Sequence, residues 1–327
     1  MNSIVILGSG GWGLALACTC ARLGHKVTVW SAFSDEIDAI KRTGELKAKL
    51  PGVQIPKSVG LTTDISCVDG ADIVLVGIPS AFVRSVCEQA KPFVSPDSIL
   101  VSTAKGLESP SLKRMSEIIS EIFPEHRIVV MSGPSHAEEL GLGIPTAVAV
   151  ASEDSKAAEF IQRAFSDNTL RLYVNSDVIG CEIGGAVKNV IALCCGVTDG
   201  LGLGDNTKAA LITRGLSEIT RLGVALGGKK ETFSGLAGLG DLVVTCTSIH
   251  SRNYRAGVLI GKGTAPEEAV RQVGTVEGYA CAKATLALAE KYGVKMPITE
   301  EINQILFNGQ PALNGISDLM SRPMGAE

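Results

Sequence analysis

Residues 4–13 read IVILGSGGWG, a short apolar run rich in β-branched residues that leads straight into glycines. Residues 14–23 continue with apolar side chains at helical spacing, and residues 27–30 form a second apolar run. Short apolar runs of this kind are typical of buried strands, and the order strand, helix, strand is typical of a βαβ unit. The chain therefore opens with the unit from which parallel, doubly wound sheets are built.

The turn of this unit contains Gly8, Gly10 and Gly13 in the spacing G-x-G-x-x-G. Gly8 would allow a tight turn, Gly10 the close approach of backbone to a pyrophosphate, and Gly13 close packing of helix on strand. The helix N-terminus would face the phosphates with its N–H groups and positive dipole end. We therefore expect a dinucleotide-binding site here rather than a merely structural glycine-rich turn.

The two halves of the chain differ in pattern. The predicted strands are residues 4–7, 27–30, 73–76, 99–101, 128–130, 147–150 and 170–174. From about residue 179, helix-period segments replace them, at residues 183–195, 209–226, 267–273 and 281–292. We expect an α/β plus all-α fold, with a Rossmann-type dinucleotide-binding domain (residues 1–178) followed by an all-helical substrate-binding and catalytic domain (residues 179–327).

Composition excludes several classes of function. Thirty basic and 34 acidic side chains give a net charge of −4, so bulk attraction to nucleic acid or an anionic membrane is not expected. The nine cysteines form no CxxC ladder and the four histidines no ligand pair, which predicts buried thiols and no metal site. With no signal-peptide pattern and no run of 18 uncharged apolar residues, we expect a cytoplasmic protein without an integral membrane segment.

Glycine is over-represented, at 37 of 327 residues, about 11% against a typical 7%. Seventeen of the 37 lie between residues 180 and 263, around Lys188, Asp241 and Arg252. Because glycine permits tight turns and close backbone approach, we expect this surplus to mark a site for a small ligand.

The sequence after the second strand leaves the choice between NAD and NADP open. A carboxylate that holds the adenosine ribose of NAD would normally follow the strand, but the chain reads Ser31-Ala32-Phe33 there. Asp35 and Glu36 come later, and we expect them to cap the next helix, since acids favour a first turn. No arginine stands there to pair with the 2′-phosphate of NADP.

Two lysines are candidates for chemistry. Lys105 follows the predicted strand at 99–101, at the end where open α/β sheets place ligands, although a solvated loop lysine is the alternative. Lys188 lies in an otherwise apolar helical segment, so it either reaches the surface or is held in a low-dielectric pocket that lowers its pKa towards neutrality. The second case makes a proton donor, and Gly184, one turn earlier, would leave the helix face bare for a substrate.

Asp241 lies among glycines and apolar residues, which indicates a buried carboxylate paired with either Lys188 or Lys105. Cys246 lies close to Asp241 in sequence, but the sequence indicates no histidine partner that would activate it as a nucleophile.

The run Ser251-Arg252-Asn253 would suit a phosphate, because a guanidinium forks onto phosphate oxygens and its neighbours add donors. A surface capping cluster is the alternative reading of these residue types. Glu277 likewise is either a site residue or an acid at the start of a helix.

Together these motifs resemble the bacterial-type NAD(P)-dependent glycerol-3-phosphate dehydrogenases over nearly the whole chain. The matching stretches are GSGGWG (8–13), AKGLE (104–108), SGPSHAEEL (132–140), GGAVKNVIA (184–192), ALITRGLSE (210–218), GLAGLGDLVVTC (235–246), SRN (251–253) and VEGY (276–279). The resemblance implies a Rossmann domain followed by a helical substrate domain. It also implies reversible reduction of dihydroxyacetone phosphate to sn-glycerol 3-phosphate with NAD or NADP as cofactor, for phospholipid synthesis, in a homodimer.

The resemblance also implies roles for individual residues. Lys188 would be the general acid/base, and Asp241 and Lys105 would support the substrate's reacting end. The substrate contacts would be Lys105, Gly133, Ser135, Lys188, Asp241, Ser251, Arg252 and Asn253. The cofactor contacts would be Gly8, Gly10, Gly11, Trp12, Gly13, Lys105, Ala137, Arg252, Thr275 and Glu277. Members of the family often carry arginine or histidine at the position of Ala32, so a strong NADP preference is not expected.

Two other functions are compatible with the same fold. One is a related two-domain hydroxyacid or hydroxyacyl dehydrogenase, because a fold alone does not identify the substrate. The other is a catalytically inactive protein that senses NAD(P), against which the presence of Lys188, Asp241 and Arg252 argues.

Overall fold

The computed structural model describes residues 1–323, which group into two compact units. The first comprises Met1–Lys105 and Lys113–Cys181, and the second comprises Gly106–Leu112 and the chain from Glu182 onward. The sequence pattern predicts that Gly106–Leu112 lies in the first domain. This segment groups instead with the second unit, because its membership depends on what it contacts and not on its place along the chain.

The first unit is built around one eight-stranded sheet. Its strands are β1 (Ser3–Leu7), β2 (Lys26–Trp30), β3 (Gly60–Thr62), β4 (Ile73–Val76), β5 (Ile99–Ser102), β6 (Arg127–Ser132), β7 (Thr146–Ala151) and β8 (Leu170–Asn175). Their order is β3-β2-β1-β4-β5-β6-β7-β8. The first six strands have Rossmann order, in which ligands bind at the carboxyl ends of β1 and β4, where the order reverses.

Two features of the sheet differ from the sequence-based expectation of a parallel sheet. Strand β7 runs antiparallel to β6, whereas the other neighbouring pairs are parallel. The connection between them carries only the five-residue helix Ala137–Gly141, shorter than the helix of about ten residues that a parallel crossover usually contains. Strand β3 was not predicted, because three residues that include a glycine give no apolar pattern.

Helices cover both faces of the sheet. They are α1 (Gly11–Arg22), α2 (Ser34–Thr43), α3 (Val83–Ala90), α4 (Met115–Ile122), α5 (Ala137–Gly141) and α6 (Ser155–Phe165). Successive side chains of a strand point to opposite faces, so Ile4 and Ile6 lie in one apolar core while Val5 and Leu7 lie in the other. Burial on both faces explains why β1 is a continuous apolar run and not an alternating one.

Apart from the segment Gly106–Leu112, the regular elements of the second unit are helices in the part of the chain that the structure describes. Its helices are α7 (Val178–Gly200), whose first residues belong to the first unit, α8 (Gly204–Ala225), α9 (Asp241–Thr247), α10 (Arg252–Gly261), α11 (Pro266–Val273), α12 (Glu277–Lys291), α13 (Pro297–Phe307) and α14 (Ala312–Met320). Among the described helices, α7 is the one long and apolar enough to cross a membrane by length and composition. However, 89% of its most apolar window is buried inside the protein, which is the pattern of a core helix.

Many of the surplus glycines lie where helices touch. Gly196 and Gly200 on α7 face Gly257 and Gly261 on α10, and a Cβ atom on Gly257 would lie 2.2 Å from the carbonyl oxygen of Leu193. The two backbones are therefore in direct contact along this face. The expectation that the glycine surplus marks a ligand site is wrong for these four residues, because they allow close helix packing.

Candidate functional site

The glycine loop after β1 is bound to the end of β2. Gly8 has φ +114°, a conformation that side chains rarely tolerate, and its N–H donates a 2.9 Å hydrogen bond to the carbonyl oxygen of Trp30. A Cβ atom on Gly8 would lie 2.7 Å from the carbonyl oxygen of Gly77, and one on Gly13 would lie 2.7 Å from that of Gly8. Gly8 and Gly13 thus meet the steric demands of a tight turn and of close helix–strand packing.

The N-terminus of α1 fits a pyrophosphate. Its N-cap residue, Gly10, offers no side-chain hydrogen bond, and its first turn holds no acid. A Cβ atom on Gly10 would meet only the carbonyl oxygen of Gly77, at 3.7 Å, so the backbone is open to a ligand on this side. Such N–H groups with their dipole favour an anion, and the residues present therefore fit a dinucleotide.

The predicted cofactor contacts Gly11, Trp12 and Ala137 lie beside this helix start. A Cβ atom on Gly11 would come within 2.6 Å of the carbonyl oxygen of Lys49 and 3.1 Å of the Cβ atom of Ala137. Gly11 and Ala137 are therefore neighbours, and the loop has no room for a larger residue at position 11. The Trp12 side chain packs against the apolar core that contains Ile4 and Ile6.

Glu36 does not act as a helix cap, which corrects the sequence analysis. Asp35 and Glu36 both lie in the first turn of α2, but the Glu36 carboxylate contacts the hydroxyls of Ser9 and Ser31, the latter at 3.0 Å. Its other oxygen, Oε1, lies 2.5 Å from Nζ of Lys49. Burial opposes the charged form, but the hydrogen bonds from Lys49 and Ser9 outweigh it and hold the pKa of Glu36 below its usual value. A carboxylate therefore stands beside the glycine loop after all.

Lys105 is not a solvated loop lysine. Its Nζ donates hydrogen bonds to the carbonyl oxygen of Gly133 at 2.8 Å and to Oγ of Ser135 at 2.9 Å. These three predicted substrate contacts are therefore brought together at the carboxyl ends of β5 and β6. The hydroxyls of Ser102 and Ser132, at the ends of the same strands, are buried without a hydrogen-bond partner among the described residues.

The second unit holds a buried ion pair between α7 and α9. Nζ of Lys188 lies 2.6 Å from Oδ1 of Asp241 and donates to Oγ1 of Thr245, also at 2.6 Å. Lys188 is 5% exposed and Asp241 0%. Of the two cations considered for Asp241, the structure selects Lys188, and of the two interpretations of Lys188 it selects the buried one.

Thr245 was missed in the sequence, although a signal was present. It lies four residues after Asp241, so the two share one face of α9 and meet the same ammonium group. Helix α9 begins directly after a π-helical turn, Leu236–Gly240, a local geometry that is common at functional sites.

Gly184 does not leave a bare face beside Lys188, contrary to expectation. A Cβ atom on Gly184 would lie 2.4 Å from the carbonyl oxygen of Ala237, in the π-helical turn. The glycine therefore lets this turn pack on α7, which positions Asp241 immediately after it.

Asn189 is a second residue that the sequence analysis missed. Nδ2 of Asn253 donates to Oδ1 of Asn189 at 2.9 Å, and Oδ1 of Asn253 accepts from the N–H of Gly278 at 2.8 Å. These bonds connect α7, α10 and the start of α12 next to Lys188. Asn253 therefore has a bridging role, and its contact with substrate stays a prediction.

The remaining predicted residues lie at two helix starts. Ser251 is the N-cap of α10 and accepts a hydrogen bond from the N–H of Tyr254, so the capping interpretation of this serine is confirmed. Arg252 follows as the first, exposed residue of that helix. Thr275 lies two residues before Glu277, the acid in the first turn of α12. Their roles toward substrate and cofactor stay predictions.

Cys246 is buried and held as a thiol. A hydrogen bond with Cys195 and burial raise the pKa of Cys246 well above its usual value. This agrees with the expectation that it is not a nucleophile.

The chain matches two models of one known protein family. The family models for the N-terminus and the C-terminus of NAD-dependent glycerol-3-phosphate dehydrogenase match residues 3–158 and 177–317. The chain belongs to this family.

Relatives and solved structures agree with this membership. The chain is 51% identical over 324 residues to the glycerol-3-phosphate dehydrogenase [NAD(P)+] of Moorella thermoacetica, with 98% of this chain and 96% of the relative covered. It is 49% identical to that of Bacillus subtilis, with 98% and 95% covered. The crystal structure of glycerol-3-phosphate dehydrogenase from Coxiella burnetii superposes with a TM-score of 0.95 at 37% identity, covering 98% of this chain and 99% of that one.

The family, the fold class and an NAD(P) cofactor, all predicted from the sequence, are thereby confirmed, and the chain is an oxidoreductase. A D-mandelate dehydrogenase structure also superposes, with a TM-score of 0.68 over 95% of this chain, but at 15% identity this likeness shows the fold alone. It therefore gives no support to a hydroxyacid substrate.

Proposed function

We propose that this member of the glycerol-3-phosphate dehydrogenase family reversibly reduces dihydroxyacetone phosphate to sn-glycerol 3-phosphate with NAD(P)H, and so supplies glycerophospholipid synthesis. The observation that carries the proposal is the buried Lys188–Asp241 pair with Thr245, in a chain half identical to relatives that bear this name. Buried charges are rare unless they are paired or functional, which favours an active enzyme over an inactive NAD(P)-sensing protein.

In this mechanism Lys188 is the general acid/base that transfers the proton. The bound cofactor supplies the hydride to the ketone carbon. The Lys188 ammonium donates a proton to the developing alkoxide, and in the reverse direction the neutral amine accepts it. Asp241 and Thr245 fix the position of Nζ, so the proton donor is already oriented when substrate binds.

Lys105 is assigned to the substrate's reacting end. Its ammonium is held by Gly133 and Ser135, which leaves a positive charge in a fixed position at the carboxyl edge of the sheet. A preorganised cation of this kind stabilises negative charge that develops on a carbonyl oxygen.

Arg252 is assigned to the phosphate of the substrate, together with Ser251 and Asn253. It is the first residue of the ten-residue helix α10, and the helix dipole favours an anion at this end. A planar guanidinium can donate two parallel hydrogen bonds to the oxygens of one phosphate.

The family membership supports two further proposals. We assign the protein to the cytoplasm and to a homodimer, since the relatives are bacterial dehydrogenases and the long apolar helix α7 is a core helix. Light scattering behind a sizing column would measure the mass, and a mass of one chain would contradict the dimer.

The test of function is oxidation of NADH and NADPH, followed separately, with dihydroxyacetone phosphate, dihydroxyacetone or a 2-oxo acid as acceptor. Turnover with the phosphorylated ketone alone is the expected result. Turnover with the 2-oxo acid alone would establish the hydroxyacid dehydrogenase alternative. Cofactor binding without turnover of any acceptor would establish the sensing alternative.

A further inference from the structure

Four side chains form a polar cluster beside the glycine loop. The hydroxyls of Ser9 and Ser31 lie 2.8 Å apart, and both lie within hydrogen-bond distance of Oε2 of Glu36. Lys49 contacts the other carboxylate oxygen. Ser9 and Ser31 are buried, at 3% and 2% exposure, whereas Glu36 keeps part of its side chain in contact with solvent. The two buried hydroxyls thus fix the position of the carboxylate, which remains accessible to solvent.

The position of this cluster is the end of β2. Ser31 directly follows Trp30, the last residue of that strand, and Ser9 lies between Gly8 and the N-cap of α1. In a Rossmann fold the adenosine ribose lies here, and an acid that follows β2 normally binds its hydroxyls. Position 32 holds alanine, so no acid comes from the strand end itself. The carboxylate at this place comes instead from the first turn of α2.

A carboxylate at this place discriminates between the two cofactors. It accepts a hydrogen bond from the 2′-hydroxyl of NAD, whereas the 2′-phosphate of NADP would bring like charge against it. Lys49 does not reverse this preference, because its ammonium is held 2.5 Å from Oε1 of Glu36, and a 2′-phosphate would have to break this ion pair to bind it. Released from that pair, however, the same lysine would be a phosphate ligand.

We propose that Glu36 is the residue that selects NAD(H) over NADP(H) in this protein, by holding its carboxylate at the 2′-position of the adenosine ribose. Lys49 is a positioning residue, since it acts by fixing Glu36. The inference rests on the proposed function in that the cofactor of the reaction is a dinucleotide.

The test is calorimetric titration of the full-length protein with ADP-ribose and with 2′-phospho-ADP-ribose, probes that lack nicotinamide and undergo no turnover. The wild-type protein should bind ADP-ribose at least about tenfold more tightly, because the 2′-phosphate of the other probe must either face the Glu36 carboxylate or break its ion pair with Lys49. This ratio needs no variant, so the proposal can be tested even if a variant fails to fold.

Substitutions then assign the preference to its residue. Glu36→Gln should weaken the preference about tenfold or reverse it, chiefly through tighter binding of 2′-phospho-ADP-ribose to the released Lys49. The double variant Glu36→Gln/Lys49→Met should lose that gain. Asp35→Asn removes the same charge from the neighbouring, exposed residue of the same helical turn and should leave the ratio unchanged.

Three results would overturn the proposal: tighter wild-type binding of the 2′-phosphorylated probe, binding of neither probe, or a ratio that Glu36→Gln and Asp35→Asn change equally. Reduction of dihydroxyacetone phosphate is a separate measurement. Its failure would contradict the proposed function while leaving the binding ratio interpretable, and the converse also holds.

Discussion

Nζ of Lys188 and Oδ1 of Asp241 lie 2.6 Å apart between helices α7 and α9, and both side chains are buried. A buried ion pair gains little net stability, because desolvation of the two charges offsets their attraction. Removal of one partner is costly, since it leaves the other charge buried and unpaired. Loss of catalysis and loss of stability must therefore be separated in any variant of this pair.

The first prediction concerns proton transfer. Lys188→Met should lower kcat by about 100- to 10,000-fold, the range that a positioned general acid contributes. It should also lower the free energy of unfolding, because Asp241 is left without its cation. The double variant Lys188→Met/Asp241→Asn removes both charges, so it should recover stability in urea denaturation without recovering kcat.

A kcat for Lys188→Met within about tenfold of the parent would limit the contribution of Lys188 to less than about 1.4 kcal/mol. That result would exclude the proton-transfer role. Recovery of kcat in the double variant would show that the single variant was merely unstable.

The second prediction concerns the phosphate. Arg252→Ala should raise KM for dihydroxyacetone phosphate, because a charge-assisted hydrogen bond to the phosphate is lost. The matched control is Arg255→Ala, which removes an exposed arginine from the same helix one turn later and should leave KM unchanged. If the two variants have the same KM for the ketone phosphate, the phosphate site lies elsewhere.

The third prediction concerns pH and stability. Glu218 on α8 is 2% exposed and accepts hydrogen bonds from the N–H groups of Ile298 and Thr299 at the start of α13. Burial outweighs these bonds and raises the pKa of Glu218 from 4.5 to about 7. The folded state thus binds the proton more tightly than the unfolded state, so the stabilisation is complete below pH 4.5 and is lost as pH rises through about 7.

Gln resembles the protonated form of this carboxyl. Between pH 5 and pH 8 the wild-type protein should therefore lose stability relative to Glu218→Gln, by on the order of 3 kcal/mol in urea denaturation. Glu125→Gln, at an exposed glutamate, controls for the charge change. A difference between wild type and Glu218→Gln that does not vary with pH would refute the linkage.

The sequence predicted what depends on local pattern. Strand β1 is buried on both faces, so its apolar run identifies it as a strand without any information about the neighbouring strands. The glycine motif of the turn after it is likewise complete within a few residues. The pairing of Asp241 with a lysine was also predictable, because a carboxylate among apolar residues needs a cation. The choice of Lys188 over Lys105 was not, since it depends on how α7 packs against α9.

Glu36 shows why the rest was not predictable. In the sequence it lies several residues beyond the position where a ribose-binding acid is expected, and it resembles an ordinary first-turn acid. In the structure α2 begins at Ser34, so its first turn brings the carboxylate back to Ser9 and Ser31. This contact depends on the path of the chain between β2 and α2, which the spacing of residues in the sequence does not predict.

The last prediction concerns the glycine contact between α7 and α10. In Gly257→Ala the new Cβ atom would lie 2.2 Å from the carbonyl oxygen of Leu193 and 2.9 Å from the Cα atom of Gly196, both backbone atoms that cannot rotate away. Alanine is intrinsically the better helix former by about 1 kcal/mol. Overpacking against backbone should nevertheless dominate and lower the free energy of unfolding by about 1–3 kcal/mol. In Gly315→Ala the new Cβ atom would lie 3.1 Å from Cδ1 of Ile305 and 3.5 Å from Oε2 of Glu301, both side-chain atoms that can move, so urea denaturation should show little loss or a small gain. Equal effects of the two substitutions would mean that α7 and α10 separate readily, and that their glycines are not needed for packing.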